Sequence, residues 1–254
     1  MIPIDLTGKV ALVTGATGQL GRVMARTLAQ AGADVAVHCL RNMEKAGEIA
    51  EELRAMGRKA LAVQANITDE ASVLAMRDAV TVALGAPYIV VNNAVSQYKW
   101  TTILEQSPAD FLDQYGTCVL SNVLMAKAFV PAMAERGAGR FIGINTECSA
   151  LCNAGSAAYA AAKRGMDGVY RILAKENGGS GVTFNQVAPG WTISDNDREK
   201  GTEIAPEYSA KVPLARRGTD QEIANAVLFF ASDLSSYTTG AYLPVSGGTV
   251  MPGI

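Results

Sequence analysis

The stretch Val10-Ala-Leu-Val-Thr14-Gly15-Ala-Thr-Gly18-Gln-Leu-Gly21 decides the architecture. Its first five residues form a short apolar run bounded by Gly8 and Gly15, the pattern of a central parallel strand. Behind it, Arg22 to Ala31 is amphipathic and Gly32 closes it as a helix C-terminus does. The order is strand, glycine turn, helix. Glycines at 15, 18 and 21 let the backbone approach a pyrophosphate, whose charge meets N–H groups and the positive end of the helix dipole. Gly15, Thr17, Gly18, Gln19, Leu20 and Gly21 are therefore candidate dinucleotide-binding residues.

A dinucleotide fold often carries, after its second strand, a carboxylate that binds the ribose 2′-hydroxyl. Here that strand, Ala33 to Cys39, runs into Leu40-Arg41-Asn42. With no carboxylate to repel a 2′-phosphate and Arg41 beside it to pair with one, NADP(H) is favoured over NAD(H). The alternation continues. Asn42 caps a helix to about Met56, Ala60 to Gln64 is a strand, and Thr68-Asp69-Glu70 opens a helix with acids at its positive end. Tyr88 to Val91 is a fourth strand, Ser107-Pro108 starts a long helix to about Glu135, and Arg140 to Ile144 is a fifth strand. Such regularity predicts an α/β fold, a single-domain Rossmann-type doubly wound parallel sheet of about seven strands spanning residues 1–254.

Composition sets the outer bounds. A chain of 254 residues with 49% hydrophobic residues can bury one large core, and a net charge of -2 gives no electrostatic footprint for nucleic acid or an acidic membrane. No apolar run is read as a membrane span, and Met1-Ile2-Pro3-Ile4-Asp5 lacks the pattern of a secretion signal, so a cytoplasmic location is expected. Four cysteines are expected to be reduced, and Cys148 and Cys152 find no further ligands for a metal. The single histidine, His38, lies inside an apolar strand and reads as a packed residue, which weighs against a Ser-His-Asp hydrolase and leaves Cys118 and Cys148 without a base.

Further along, Ser156-Ala-Ala-Tyr159-Ala-Ala-Ala-Lys163 reads as the first turns of a helix. Tyr159 and Lys163, four residues apart, share one face, and an ammonium beside a phenol of pKa about 10 favours the phenolate. That is a general acid/base in outline. Taken with Thr14-Gly15, Gly21, Asn92-Asn93-Ala94, Ala188-Pro189-Gly190-Trp191-Thr192 and Pro244-Val-Ser-Gly-Gly248, the chain resembles the short-chain dehydrogenase/reductase family from about Gly8 to Gly248, in particular its 3-oxoacyl-carrier-protein-reductase-like branch.

The resemblance implies a ketone/secondary-alcohol oxidoreductase with Tyr159 as acid/base, Lys163 lowering its pKa and holding the nicotinamide ribose, and a homotetramer built in part on the last helix and strand. It extends the cofactor contacts to Asn66, Ile67, Asn93, Ala94, Pro189, Gly190 and Thr192. Several positions depart from the pattern. Thr146 stands where the family has its catalytic serine, and its hydroxyl can still donate to a carbonyl. Cys118 stands at the relay asparagine, Gln19 at the middle glycine, Val95 at the last glycine of Asn-Asn-Ala-Gly, and Asn66 at the adenine-contacting aspartate. Asn122, one turn after Cys118, is not assigned the relay role. The alternative these departures leave is a nucleotide-binding protein of the same fold with weak or no turnover. Residues 191–213, charged and broken by Pro206, read as a mobile lid over a small-molecule substrate, with Trp191, Trp100, Tyr98, Tyr208 and Met166 as candidate pocket walls.

Overall fold

The computed structural model describes residues 4–252; Met1, Ile2 and Pro3, where the secretion-signal reading began, lie outside the described residues. The opening stretch folds as read, into β1 (Val10–Val13), a glycine turn and α1 (Gln19–Gln30). There follow β2 (Asp34–Cys39), α2 (Met43–Ala55), β3 (Ala60–Gln64), α3 (Glu70–Leu84), β4 (Ile89–Asn92) and α4 (Pro108–Tyr115). The second half adds α5 (Ser121–Arg136), β5 (Gly139–Ile144), α6 (Cys148–Leu151), α7 (Ala157–Asn177) and β6 (Val182–Pro189). Last come α8 (Asp195–Lys200), α9 (Pro206–Ser209), α10 (Asp220–Ala231) and β7 (Tyr242–Val245).

Seven parallel strands make one sheet in the order β3-β2-β1-β4-β5-β6-β7. β1 pairs with β2 through Val10 and Asp34 and with β4 through Ala11 and Ile89, so the chain changes direction across the sheet between β1 and β4. That switch point opens a crevice at the carboxyl ends of the strands. Side chains alternate between two cores. Ala11 and Val13 face α1, α2 and α10 through Met24, Leu28, Leu53 and Phe230, whereas Leu12 faces α3, α5 and α7 through Met76, Phe129 and Tyr170. Each such large apolar side chain contributes about 1.5–3 kcal/mol when fully buried.

The capping signals hold locally. The side chains of Asn42 and Asp69 accept the N–H groups of Lys45 and Ser72, and Thr219 and Glu222 form a reciprocal box at α10. Ser107 accepts from Ala109 N–H, with Pro108 opening the helix. The single long helix expected there is interrupted by a π-helical turn, Gly116–Leu120, which contains Cys118. The whole run Pro108–Arg136 is long and apolar enough to cross a membrane, contrary to the sequence reading, but 61% of its most apolar window is buried inside the protein. It serves as a core helix against β4 and β5.

The segment 191–213 is tied down on the α1 side. Gln19 Nε2 donates to Ile193 O at 2.5 Å, and Arg22 holds Asp195 through one guanidinium nitrogen at 2.5 and 2.6 Å. Buried Arg217 donates to Thr192 O and Asp197 Oδ2, both at 2.7 Å, and lies over the Trp191 ring.

Candidate active site

The carboxyl ends of β1 and β4 are pinned by one hydroxyl. Thr14 Oγ1 accepts Asn93 N–H at 2.9 Å and Ala94 N–H at 3.1 Å, while Asn93 Nδ2 returns a bond to Thr14 O at 2.9 Å. The glycine turn then lies against β4, and a Cβ on Gly15 would come within 3.0 Å of Ala94 Cα. Gly18, as N-cap of α1, supplies no side chain to the first-turn amides, which stay free for an anion.

A cleft of ≈ 530 Å³ lies over this turn. Its lining includes Gly15, Thr17, Gly18, Gln19 and Leu20 from the turn, Arg41 after β2, Asn66 and Ile67 after β3, and Asn93 and Ala94 after β4. Gly21 stands apart from the cofactor role expected for it. It is absent from the lining and buried in α1, and a Cβ there would collide with Gly15 O and Ala16 Cα, so its glycine is needed for the closeness of helix and turn. Asn66 spends its side-chain oxygen on Thr68, accepting the amide at 3.1 Å and the hydroxyl at 2.9 Å.

A second cavity, ≈ 230 Å³, shares Leu20, Asn93, Val95 and Gln97 with the first and is further lined by Thr146, Tyr159, Lys163, Pro189, Gly190 and Thr192. The fold therefore brings the candidate catalytic and cofactor residues to one continuous groove. Thr146 Oγ1 accepts Cys148 N–H at 3.2 Å, which leaves its own proton to donate. The Tyr159 amide is held by Tyr98 Oη at 3.0 Å, and the Trp100 ring lies 6.2 Å from the Tyr159 ring. Lys163, buried beneath, gives its ammonium to Ile144 O at 2.5 Å, 5.6 Å from the centre of the Tyr159 ring.

The electrostatics differ from the sequence expectation. Burial pushes the Tyr159 phenol well above its ordinary value; nearby Cys118 and Cys148 act the same way, and the Thr146 hydroxyl pulls it back. The Lys163 ammonium is bonded to Ile144 O, and burial holds Lys163 itself below its ordinary value. The protein's own groups thus keep the phenol protonated.

Cys118 is buried beside Tyr159, with Gln114 Oε1 3.9 Å from its thiol. Asn122 turns the other way, donating to Cys118 O at 2.8 Å and accepting Tyr170 O–H at 2.9 Å. Met166 is no pocket wall. It is fully buried under β5, where Gly143 has no room for a Cβ. Trp100 and Trp191 are half exposed.

Two residues of the site escaped the sequence reading. His38 is more than a packed strand residue: its Nδ1 accepts Gly15 N–H at 3.0 Å and its Nε2 meets Ala65 O at 3.0 Å, so the imidazole braces the glycine turn from β2. Glu147, next to Thr146, is buried and accepts Tyr208 O–H at 3.0 Å. Its only sequence signal is a carboxylate in an otherwise uncharged run from Phe141 to Tyr159.

Comparison with known proteins adds an independent line. A family model described as "Enoyl-(Acyl carrier protein) reductase" matches residues 15–250. The chain is 37% identical over 248 residues to the 3-oxoacyl-[acyl-carrier-protein] reductase FabG of Pseudomonas aeruginosa, covering 98% of this chain and 100% of that protein. It is similar in structure to a 7 alpha-hydroxysteroid dehydrogenase complexed with NADH and 7-oxo glycochenodeoxycholic acid, with TM-score 0.88, 31% identity, and 98% and 97% of the two chains covered. A blue fluorescent protein from a metagenomic library, in complex with NADPH, superposes with TM-score 0.89 at 32% identity, covering 97% of this chain and 100% of that one.

Proposed function

The chain belongs to the short-chain dehydrogenase/reductase family and is an NAD(P)-dependent oxidoreductase acting on CH–OH groups; from that premise we propose that Tyr159 is its acid/base, Thr146 its carbonyl hydrogen-bond donor and Lys163 its ribose ligand. The observation that carries this reading is the meeting of all three in one cavity continuous with the glycine-turn cleft. The bound dinucleotide supplies the hydride; the protein orients the carbonyl and moves one proton. Thr146, its oxygen engaged by Cys148 N–H, donates to the carbonyl oxygen. Tyr159, kept protonated by burial, delivers its proton to that oxygen as the alcohol forms. Proton delivery leaves Tyr159 as the phenolate from which oxidation starts, so in both directions that charge needs a cation, which the Lys163 ammonium would supply on leaving Ile144 O for the ribose and phenol side.

NADP(H) is the preferred cofactor in this reading. Arg41 is exposed at the adenosine end, between Leu40 and Asn42, and no carboxylate lines that cleft among the described residues. Arg41→Ala is expected to weaken NADPH binding about tenfold while changing NADH binding less than about twofold, as fits loss of one charge-assisted phosphate contact. Titration of both nucleotides by fluorescence checks this, and equal losses for the two would refute it.

Residues 191–213 act as the substrate lid, and the protein works as a cytoplasmic homotetramer built in part on α10 and β7. A second reading, nucleotide binding with weak or no turnover, is favoured by Cys118 at the relay position. NADPH oxidation over a panel of ketones separates the two. Turnover on any of them that Tyr159→Phe abolishes supports the first, and tight NADPH binding with no oxidation supports the second.

A further inference from the structure

Glu147 presents a deficit that the reaction outlined above does not use. Its residue is 4% exposed, its amide is spent on Pro189 O, and Oε1 accepts the Tyr208 hydroxyl at 3.0 Å. Oε2 is buried with no hydrogen-bond partner among the described residues. The nearby Trp191 amide does not fill the gap, because its hydrogen goes to Tyr208 Oη at 3.0 Å. Protonating the carboxyl does not fill it either, since an O–H on Oε2 would be an orphan donor in the same place. A buried acceptor left without a donor is costly, and more so when charged.

The orphan oxygen lies behind the wall of the catalytic cavity, which Gly190 lines and Glu147 does not. Glu147 directly follows Thr146, and its Oε2 is 3.0 Å from where a Cβ on Gly190 would stand, as is Tyr208 Oη. Gly190 lines the cavity that holds Tyr159 and Thr146, and with no side chain on it only backbone separates that cavity from the carboxylate. Tyr208 belongs to α9, within the segment 191–213, so the hydroxyl that holds Glu147 comes from the segment proposed above as the lid.

Resting on the oxidoreductase reading above, we propose that Glu147 is a specificity-determining residue that accepts a hydrogen bond from a donor on the carbon next to the reacting carbonyl, so that the preferred substrates are α-hydroxy or α-amino ketones. A substrate hydroxyl or ammonium supplies the donor that Oε2 lacks. An ammonium also supplies the cation that the surroundings of this carboxyl do not provide, since what acts on it is burial, the Tyr208 hydroxyl and the Trp191 amide.

The test compares hydroxyacetone and aminoacetone with 2-butanone, using NADPH and the full chain. Wild-type kcat/KM is expected to favour the two donor-bearing ketones by about tenfold or more, the factor that one hydrogen bond to a charged group supports. Glu147→Ala is expected to bring both ratios down to about one, and Glu147→Gln to remove the aminoacetone preference while retaining part of the hydroxyacetone preference. Ratios measured within one preparation cancel any loss of folded protein. Equal ratios in wild type and Glu147→Ala would overturn the proposal and leave the Tyr159 reading intact.

A binding arm keeps the two separable when turnover is absent. The NADP+ complex should bind 1,2-propanediol and 1-amino-2-propanol more tightly than 2-butanol, read by tryptophan fluorescence, and Glu147→Ala should abolish the difference. Equal affinities for all three in wild type would also overturn it. A retained preference without ketone reduction would support Glu147 and refute the Tyr159 reading.

Discussion

Tyr159→Phe is expected to lower kcat for ketone reduction by about 10²–10⁴-fold, the range ascribed to a positioned general acid. The substitution removes one oxygen from a ring that is otherwise held by its surroundings. The backbone bond to Tyr98 Oη and the neighbouring Trp100 ring do not depend on the phenol, so NADPH affinity should stay within about threefold. A drop in affinity as large as the drop in kcat would assign the tyrosine to binding instead. The direction of the pKa shift adds a second readout. Because burial keeps the phenol protonated well above its ordinary value, reduction needs no titration near neutrality and should be flat from about pH 6 to 8. Alcohol oxidation needs the phenolate and should rise with pH over the same range, a slope that Tyr159→Phe removes.

The second large effect is expected at His38. Replacing it by Phe leaves Gly15 N–H without its acceptor at the half-buried edge of the cleft and Ala65 O without its donor in the interior. At about 1–3 kcal/mol for the buried carbonyl, and less for the amide that water can reach, the loss is roughly 1–4 kcal/mol, a large share of the stability of an ordinary domain. Chemical denaturation measures it, and a loss under about 1 kcal/mol would show that the brace is dispensable. His38→Asn keeps an acceptor near the Nδ1 position and should recover part of the loss.

The pH dependence follows from the same geometry. Burial holds the native His38 pKa below its usual 6.5, and the bond from Gly15 N–H requires a neutral Nδ1. As pH falls below about 6.5 the unfolded chain takes up a proton that the native imidazole refuses. The stabilisation is therefore complete above that pH and is lost as pH drops through the depressed native value. Denaturation at pH 7.5 and 5.5 should give a smaller difference for His38→Asn than for wild type.

The centre of the sheet was legible because its strands are buried on both faces and so stand out as apolar runs, as at Val10–Val13 and Ile89–Asn92. The glycine turn and the pairing of Tyr159 with Lys163 could be read from spacing, since strand ends and helix turns fix where such residues stand, whereas Thr146 was marked only by the family resemblance. The π-helical turn could not, because Gly116 to Leu120 continues the apolar periodicity of the helices on either side and the extra residue per turn leaves no compositional mark. His38 and Glu147 were missed for a different reason. Their partners are backbone groups or side chains far along the chain, Gly15 and Ala65 for one and Tyr208 for the other, which only the folded topology brings near. The bond from Lys163 to Ile144 O was not legible either, since sharing a helix face with Tyr159 does not say which acceptor an ammonium takes.

The Arg22–Asp195 pair ties α8 to the helix that begins at the glycine turn. Asp195 is 40% exposed, so electrolyte reaches the pair, whose attraction weakens as the Debye length shrinks from about 10 Å at 0.1 M to about 3 Å at 1 M. Ionic strength therefore acts on this enzyme at two opposed points. On the roles proposed above, salt is expected to screen Arg41 from a nucleotide phosphate and slow capture of the cofactor, while loosening the tie between α1 and α8 and easing departure of product.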